Sequence, residues 1–286
     1  MKAKWVTGPL WIVVSLVACC APKPDGPITA AFDGIYKGNG YSVSPPGWDC
    51  PNVQPADTLT VSGGYATIAD LRLAELQCAS EILGFKEVIT FGYRDSGMMN
   101  SPDNADPRCS WQAPLDELTG RVVDVIRRVK PQVMITFDPF GGYGHPDHIK
   151  CNRATLAAFE QLKGDPDCPQ KLYYAAFPRL LVRIGVNLMR LRGQDPRKAG
   201  VNGDLDFQEV LDATLPIHTK VNVADYYEIG QRAAACHASQ QSPRQSMAGF
   251  DLIMRYIATF TGFTRVVPPP AADQPFEIDL FTGVTA

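Results

Sequence analysis

An α/β fold with a mostly parallel sheet and helices on both of its faces is what this sequence predicts, on two observations. From Ile68 onward, short apolar runs alternate with longer stretches of helical periodicity. Two of those apolar runs also feed directly into polar, glycine-containing loops, and the crevice beyond the C-terminal ends of parallel strands is where such folds bind ligands. No internal repeat interrupts the pattern.

The elements follow in chain order. Lys2 and Lys4 precede an apolar run over residues 5–17 that is short for a membrane span and reads as a secretory signal sequence. Leu16-Val17-Ala18-Cys19 resembles the lipobox of bacterial lipoproteins, so residues 1–19 are expected to be a lipoprotein-type signal, with any membrane attachment made through a lipid on Cys19. That places the protein at the cell envelope, an ordinary secretory signal and a cytoplasmic location being the other readings. Residues 20–67, rich in Gly, Pro, Ser, Asp and Asn, are expected to be a linker or a small β-rich segment. The domain proper then runs over 68–286. Its first helix spans 68–83 and is capped by Gly84, and a strand over 87–91 leads into Gly92-Tyr93-Arg94-Asp95-Ser96-Gly97-Met98. A helix over 116–129, a strand over 132–137, a helix over 146–162 and a strand over 172–177 complete the alternation. Residues 179–215, rich in Arg, Gly and Asp, read as an irregular substrate-side insertion. A last helix starts near Tyr226.

Composition narrows the function classes. A chain of 286 residues can bury an enzyme-sized core. Its 27 Lys and Arg against 30 Asp and Glu leave no basic excess, and no long basic block occurs, which argues against a nucleic-acid partner. None of the eight cysteines forms a C-x-x-C pair, so a structural zinc ribbon is not expected. Cys50, Cys109 and Cys168 sit in polar, proline-containing loops suited to a disulfide outside the cytoplasm, whereas Cys78 and Cys236 read as core positions on helices.

The chemistry concentrates in Gly141-Gly142-Tyr143-Gly144-His145-Pro146-Asp147-His148. Pro146 suits the first turn of a helix, which puts His145 at the N-cap and Asp147 where a helix N-terminus favours negative charge. His145 and His148, three apart, share a helix face and can reach toward one small volume. Two imidazoles and a carboxylate there point to a metal or acid/base site; the bland alternative is an ordinary His-Pro helix cap.

These residues carry a resemblance. The GYRDSGM stretch at 92–98 and the GGYGHPDH stretch at 141–148 are similar to those of the LmbE and PIG-L family of N-acetylglucosaminyl deacetylases, and His237-Ala238-Ser239-Gln240 resembles a third, weaker signature. The similarity extends over roughly residues 68–263. It implies a Rossmann-like α/β domain and hydrolysis of the acetamide of an N-acetylglucosaminide with zinc as cofactor. It implies His148 as a zinc ligand, His145 as the group that stabilises the oxyanion or protonates the leaving amine, Asp147 as the group that orients the neighbouring histidine or metal shell, and Tyr143 as an oxyanion donor. Arg94 and Asp95 would hold substrate hydroxyls or a phosphate, with His237 at the pocket. The plainer readings are packing for Tyr143, a structural ion pair for Arg94 and Asp95, and helix capping for His237.

The chain departs from the family at one place. Members open with a strand ending in a His-Pro-Asp-Asp motif that supplies two metal ligands and the catalytic base, and no such motif precedes His145, the first histidine of this sequence. The first strand-helix-strand unit is therefore expected to be missing, or replacement ligands to come from Asp33 or Asp57 together with His218 or His237. The alternative function is an impaired fusion that acts as an envelope sugar-binding lipoprotein.

Overall fold

The structure, a computed structural model, describes residues 11–13, 68–200, 203–237, 239, 259–271 and 273–285. Cys19 with its lipobox-like neighbours, the segment 20–67, and Asp33 and Asp57 lie outside these residues. The chain divides into two compact units, the larger built from residues 96–222 and 260–286 with the strand at 11–13, the smaller from the described parts of 17–95 and 223–259.

Strand β1 (Trp11–Val13) begins the larger unit. It pairs in parallel with β2, Trp11 opposite Val133. A strand ahead of β2 therefore exists, and it is drawn from the apolar run that the sequence reading assigned to a signal.

Helix α1 (Ile68–Leu83) belongs to the smaller unit. It ends at Gly84, whose φ of 73° is the left-handed conformation a helix C-terminus needs. Helix α2 (Leu115–Val129) begins after Pro114, carries Asp116 and Glu117 in its first turn and Arg127 and Arg128 in its last, and buries Leu118, Val122, Val123 and Ile126. That charge order complements the helix dipole at both ends. Strand β2 (Val133–Thr136) is buried at every position, as expected of a strand covered on both faces. Helix α3 (Pro146–Gln161) is tied back to it: Asn152 donates to the Phe137 carbonyl at 2.8 Å, and the Thr155 hydroxyl reaches that of Thr136 at 3.4 Å. Strand β3 (Lys171–Ala176) pairs in parallel with β2.

Helices α4 (Arg179–Leu191) and α5 (Phe207–Ala213) follow. They correct the expectation of an irregular insertion over 179–215: Leu180, Ile184, Leu188 and Leu191 recur at helical spacing, and Asp206 caps α5 by accepting the Glu209 N–H. Strand β4 (Thr219–Asn222), helix α6 (Tyr227–Cys236) and strand β5 (Phe260–Val267) complete the order. The sheet runs β1-β2-β3-β5-β4, with β5 antiparallel to both β3 and β4. The expected parallel half is thus joined to an antiparallel half that the sequence reading did not resolve.

A buried polar cluster fastens the C-terminal segment under this sheet. Glu277 accepts hydrogen bonds from Lys171 at 2.9 Å, from the Tyr173 and Thr219 hydroxyls at 2.8 Å each, and from Arg265. Val133, Ile135, Tyr173, Phe263 and Leu280 form the apolar core beside it. Breaking a buried pair of this kind by removing one partner typically costs about 3–5 kcal/mol.

In the smaller unit, a disulfide between Cys78 and Cys236 joins α1 to α6. Buried Glu75 accepts from both the N–H and the hydroxyl of Ser239, each at 2.7 Å. The cysteine expectation is thereby corrected. The two helix-core cysteines are the bonded pair, while Cys109 and Cys168 are free thiols and Cys50 lies outside the described residues. The expected strand at 87–91 is corrected as well: residues 87–90 are exposed and assigned to no strand. An apolar run becomes a strand only when a neighbouring chain satisfies its backbone groups, and local sequence does not reveal that neighbour.

Candidate active site

The site begins where β2 ends. Gly141, Gly142 and Gly144 all have positive φ, at 75°, 74° and 87°, so the turn that leads from β2 into α3 follows a path closed to other residues. Asp138 fixes this turn from the strand end, its carbonyl accepting the Gly141 N–H at 2.9 Å and its carboxylate the Gly142 N–H at 3.0 Å. A Cβ at Gly141 would lie 2.8 Å from the Ile149 side chain and 3.0 Å from the Ile149 backbone nitrogen, so the turn is also packed hard against α3.

Four of the sequence-predicted residues converge here. His145 is the N-cap of α3, and its Nδ1 accepts the Asp147 N–H at 3.2 Å. His148, one turn along, stacks on Phe137 with ring centroids 3.8 Å apart and an interplanar angle of 4°. Its Nδ1 lies 3.1 Å from the Gly141 carbonyl, which has no proton to give, so His148 is the donor. The two ring centroids are 5.0 Å apart, and Tyr143 meets both rings edge-on, at 5.9 Å from His145 and 5.1 Å from His148.

The two imidazoles are therefore held as opposite tautomers. When neutral, His145 spends Nδ1 as an acceptor and carries its proton on Nε2; His148 spends its proton on Gly141 and leaves an Nε2 lone pair. A hydrogen bond from one ring nitrogen to a backbone carbonyl is the usual way a metal-binding histidine is oriented.

Asp147 is 1% exposed and lies 3.9 Å from His145 Nδ1. It accepts the Ser96 N–H at 3.2 Å and the hydroxyls of Ser96 and Ser110. Those bonds fill three of the roughly four lone-pair sites that a carboxylate offers. The serines are themselves braced, Ser96 Oγ accepting the Trp111 N–H at 3.1 Å and Lys150 donating to the Trp111 carbonyl at 3.2 Å. Burial, and then the nearby Arg153 guanidinium, push the Lys150 ammonium below its ordinary pKa.

Ser96, Ser110, Asp138 and Phe137 were not among the residues singled out from the sequence. Asp138 had a usable signal, being a carboxylate just past a strand of an α/β sheet. Ser96 lies within the 92–98 motif, but neither it nor Ser110 could be tied to Asp147 from the sequence, because that partner lies 51 and 37 residues away.

The remaining predicted residues belong to the smaller unit. Arg94 is 6% exposed and Asp95, the residue before Ser96, is half-buried. His237 is the C-cap of α6, its backbone N–H bonded to the Ala234 carbonyl at 3.1 Å.

Known proteins are similar to this chain across the region that holds these motifs. The PIG-L family, described as GlcNAc-PI de-N-acetylase, matches residues 50–159, which take in both long motifs. The chain is 39% identical over 189 residues to a 1D-myo-inositol 2-acetamido-2-deoxy-alpha-D-glucopyranoside deacetylase of Acidothermus cellulolyticus, a match covering 65% of this chain and 61% of that protein. It thus spans about three fifths of the length of that relative. To the deacetylase 1 of the same description from Frankia alni it is 33% identical over 257 residues, covering 80% of this chain and 82% of the relative. Among solved structures, a conserved protein from Thermus thermophilus is similar at 17% identity and a TM-score of 0.42, over 76% of this chain and 80% of that one. The Frankia relative is matched along most of its length and both motifs are present, so this chain belongs to the PIG-L family.

Proposed function

We propose that this protein hydrolyses the acetamide of a small N-acetylglucosamine-containing substrate, with a divalent cation, zinc, as cofactor. The observation that carries the reading is the pair of opposite tautomers at His145 and His148. One ring is set to ligate and the other to donate, and an amide hydrolase needs both functions. The curated relatives named as deacetylases of a glucosaminide support the substrate class.

The donors suit a borderline divalent cation that accepts imidazole nitrogen and carboxylate oxygen. His148 would hold it through Nε2. Donor atoms of His145 and Asp147 lie within 4.8 Å of each other; with His145 kept as the proton carrier, Asp147 would be the neighbouring oxygen donor. Among the described residues the group of mutually close donors that holds His145 and Asp147 contains none of His148, His218 and His237, so His148 as ligand rests on its Nε2 lone pair and on the motif resemblance. Bound there, zinc supplies Lewis acidity toward an amide carbonyl and lowers the pKa of a coordinated water toward about 7.

The protein's own groups do the rest. His145 carries a proton on Nε2 that it can share with the developing oxyanion or deliver to the departing amine. Tyr143 offers a hydroxyl donor to the same oxygen. Asp147, held by the two serines, is a positioning group that fixes the start of α3 and with it both rings. Substrate contacts by Arg94, Asp95 and His237 rest on the motif resemblance.

The test is acetate release from an N-acetylglucosaminide by protein stripped with a chelator and then resupplied with zinc. Activity is expected to vanish on stripping and return with about one equivalent of metal. His148→Ala should lose bound metal and at least roughly a hundredfold in rate. Acetate release indifferent to chelation would sink the metal-dependent reading.

A further inference from the structure

Helix α4 turns an apolar stripe outward. Leu180, Ile184, Leu188 and Leu191 are 57, 45, 45 and 83% exposed, while Val186 on the other side of the helix is 1% exposed. The stripe begins beside the candidate site, because Phe177, itself 54% exposed, packs 3.8 Å from where a Cβ on Gly142 would sit. Over residues 177–194 the sequence holds Arg179, Arg183, Arg190 and Arg192 and neither Asp nor Glu, in a chain whose net charge is −3. At about 100° per residue, Arg183 and Arg190 fall on one side of the stripe and Arg192 on the other. Arg179 bonds to the Leu211 carbonyl, and Arg190 to Gln208, whose amide in turn donates to the Asp212 carboxylate, so these hydrogen bonds put neither guanidinium directly on a carboxylate.

Leucines flanked on both sides by guanidinium groups are the pattern of a helix that lies in the plane of a negatively charged bilayer surface, leucines in the acyl boundary and arginines at the phosphates. A second copy of the chain fits less well, since a two-fold contact through this stripe would bring like charges together. Among the described residues no helix is long and apolar enough to cross a membrane, so the contact would be with its surface. We propose that α4 docks this protein onto anionic phospholipid bilayers. The docking is independent of the hydrolase reading.

Cosedimentation of the full chain with vesicles tests it, comparing phosphatidylcholine alone with an equimolar mixture of phosphatidylcholine and phosphatidylglycerol. The expected result is partition onto the anionic vesicles only, weakened by salt. Arg183→Glu with Arg192→Glu should weaken that binding by about tenfold or more. Leu188→Ser with Leu191→Ser should weaken it by a similar factor of about ten while the melting temperature stays put, both side chains being exposed. Equal binding to neutral and anionic vesicles, or none to either, would overturn the proposal. So would binding that survives both pairs of substitutions, as an N-terminal anchor would give, or a dimer that the leucine substitutions abolish.

Discussion

Gly141 and Gly142 share a positive φ and differ in their surroundings, which makes the turn open to test at single residues. At Gly141 a methyl group meets Ile149 at 2.8 Å and its backbone nitrogen at 3.0 Å, whereas at Gly142 the nearest atom, on Phe177, is 3.8 Å away. Gly142→Ala should therefore cost backbone strain alone, at least about 1–2 kcal/mol, because φ 74° with ψ −60° lies outside the left-handed helical region. Gly141→Ala adds an overpacking penalty, for a total of about 2–4 kcal/mol. Urea unfolding of the two variants checks this, and equal costs would show that α3 yields easily. Site residues were legible where the chemistry was local. Tyr143, His145, Asp147 and His148 lie within six positions, and the helix period brings His145 and His148 to one face. What their spacing did not contain was the assignment of ring protons, which depends on the Gly141 carbonyl and the Asp147 N–H.

Elements with strong period or clear boundaries were also legible: α1 with its Gly84 cap, α2, β2, α3 and β3 fall within a residue or two of where the pattern put them. Four-residue β4 has no such pattern, since its strand character comes from pairing with β5 rather than from its own side chains. The apolar run at 87–91 errs in the opposite sense, carrying a strand-like composition while pairing with no strand among the described residues. Helix ends hold one feature that sequence does not flag. α2 closes on Lys130 in the left-handed conformation, with φ 51°. A side chain there is strained, and the ion pair of Lys130 with Asp167 offsets little because the Lys130 side chain is 66% exposed. Lys130→Gly should stabilise the protein by up to about 1 kcal/mol, seen as a higher Tm; an unchanged or lower Tm would mean the ion pair matters more than the strain.

At the scale of the whole molecule, acid sensitivity follows from the cluster under the sheet. Burial, and then Arg265, hold the His218 imidazole below its usual 6.5, so the unfolded chain takes up that proton first and stability declines as pH falls through 6.5. For Glu277, burial acts to raise the pKa, but hydrogen bonds from Lys171, Tyr173 and Thr219 outweigh it and hold the carboxyl below the usual 4.5. Its contribution is whole above 4.5 and is lost as pH drops through the lower folded value. Thermal melts on acidification should fall in two stages. Glu277→Gln should start about 3–5 kcal/mol less stable, with the charges of Lys171 and Arg265 no longer neutralised, and should lack the second stage; a variant with the wild-type profile would contradict this account.

The same cluster decides what trimming would do. Proteolysis after Gln274 would remove the carboxylate that neutralises two interior cations, together with Leu280 from the core. Nicked molecules should then be cleared as aggregates instead of persisting as soluble, slow hydrolases, so limited digestion would yield either intact chain or none.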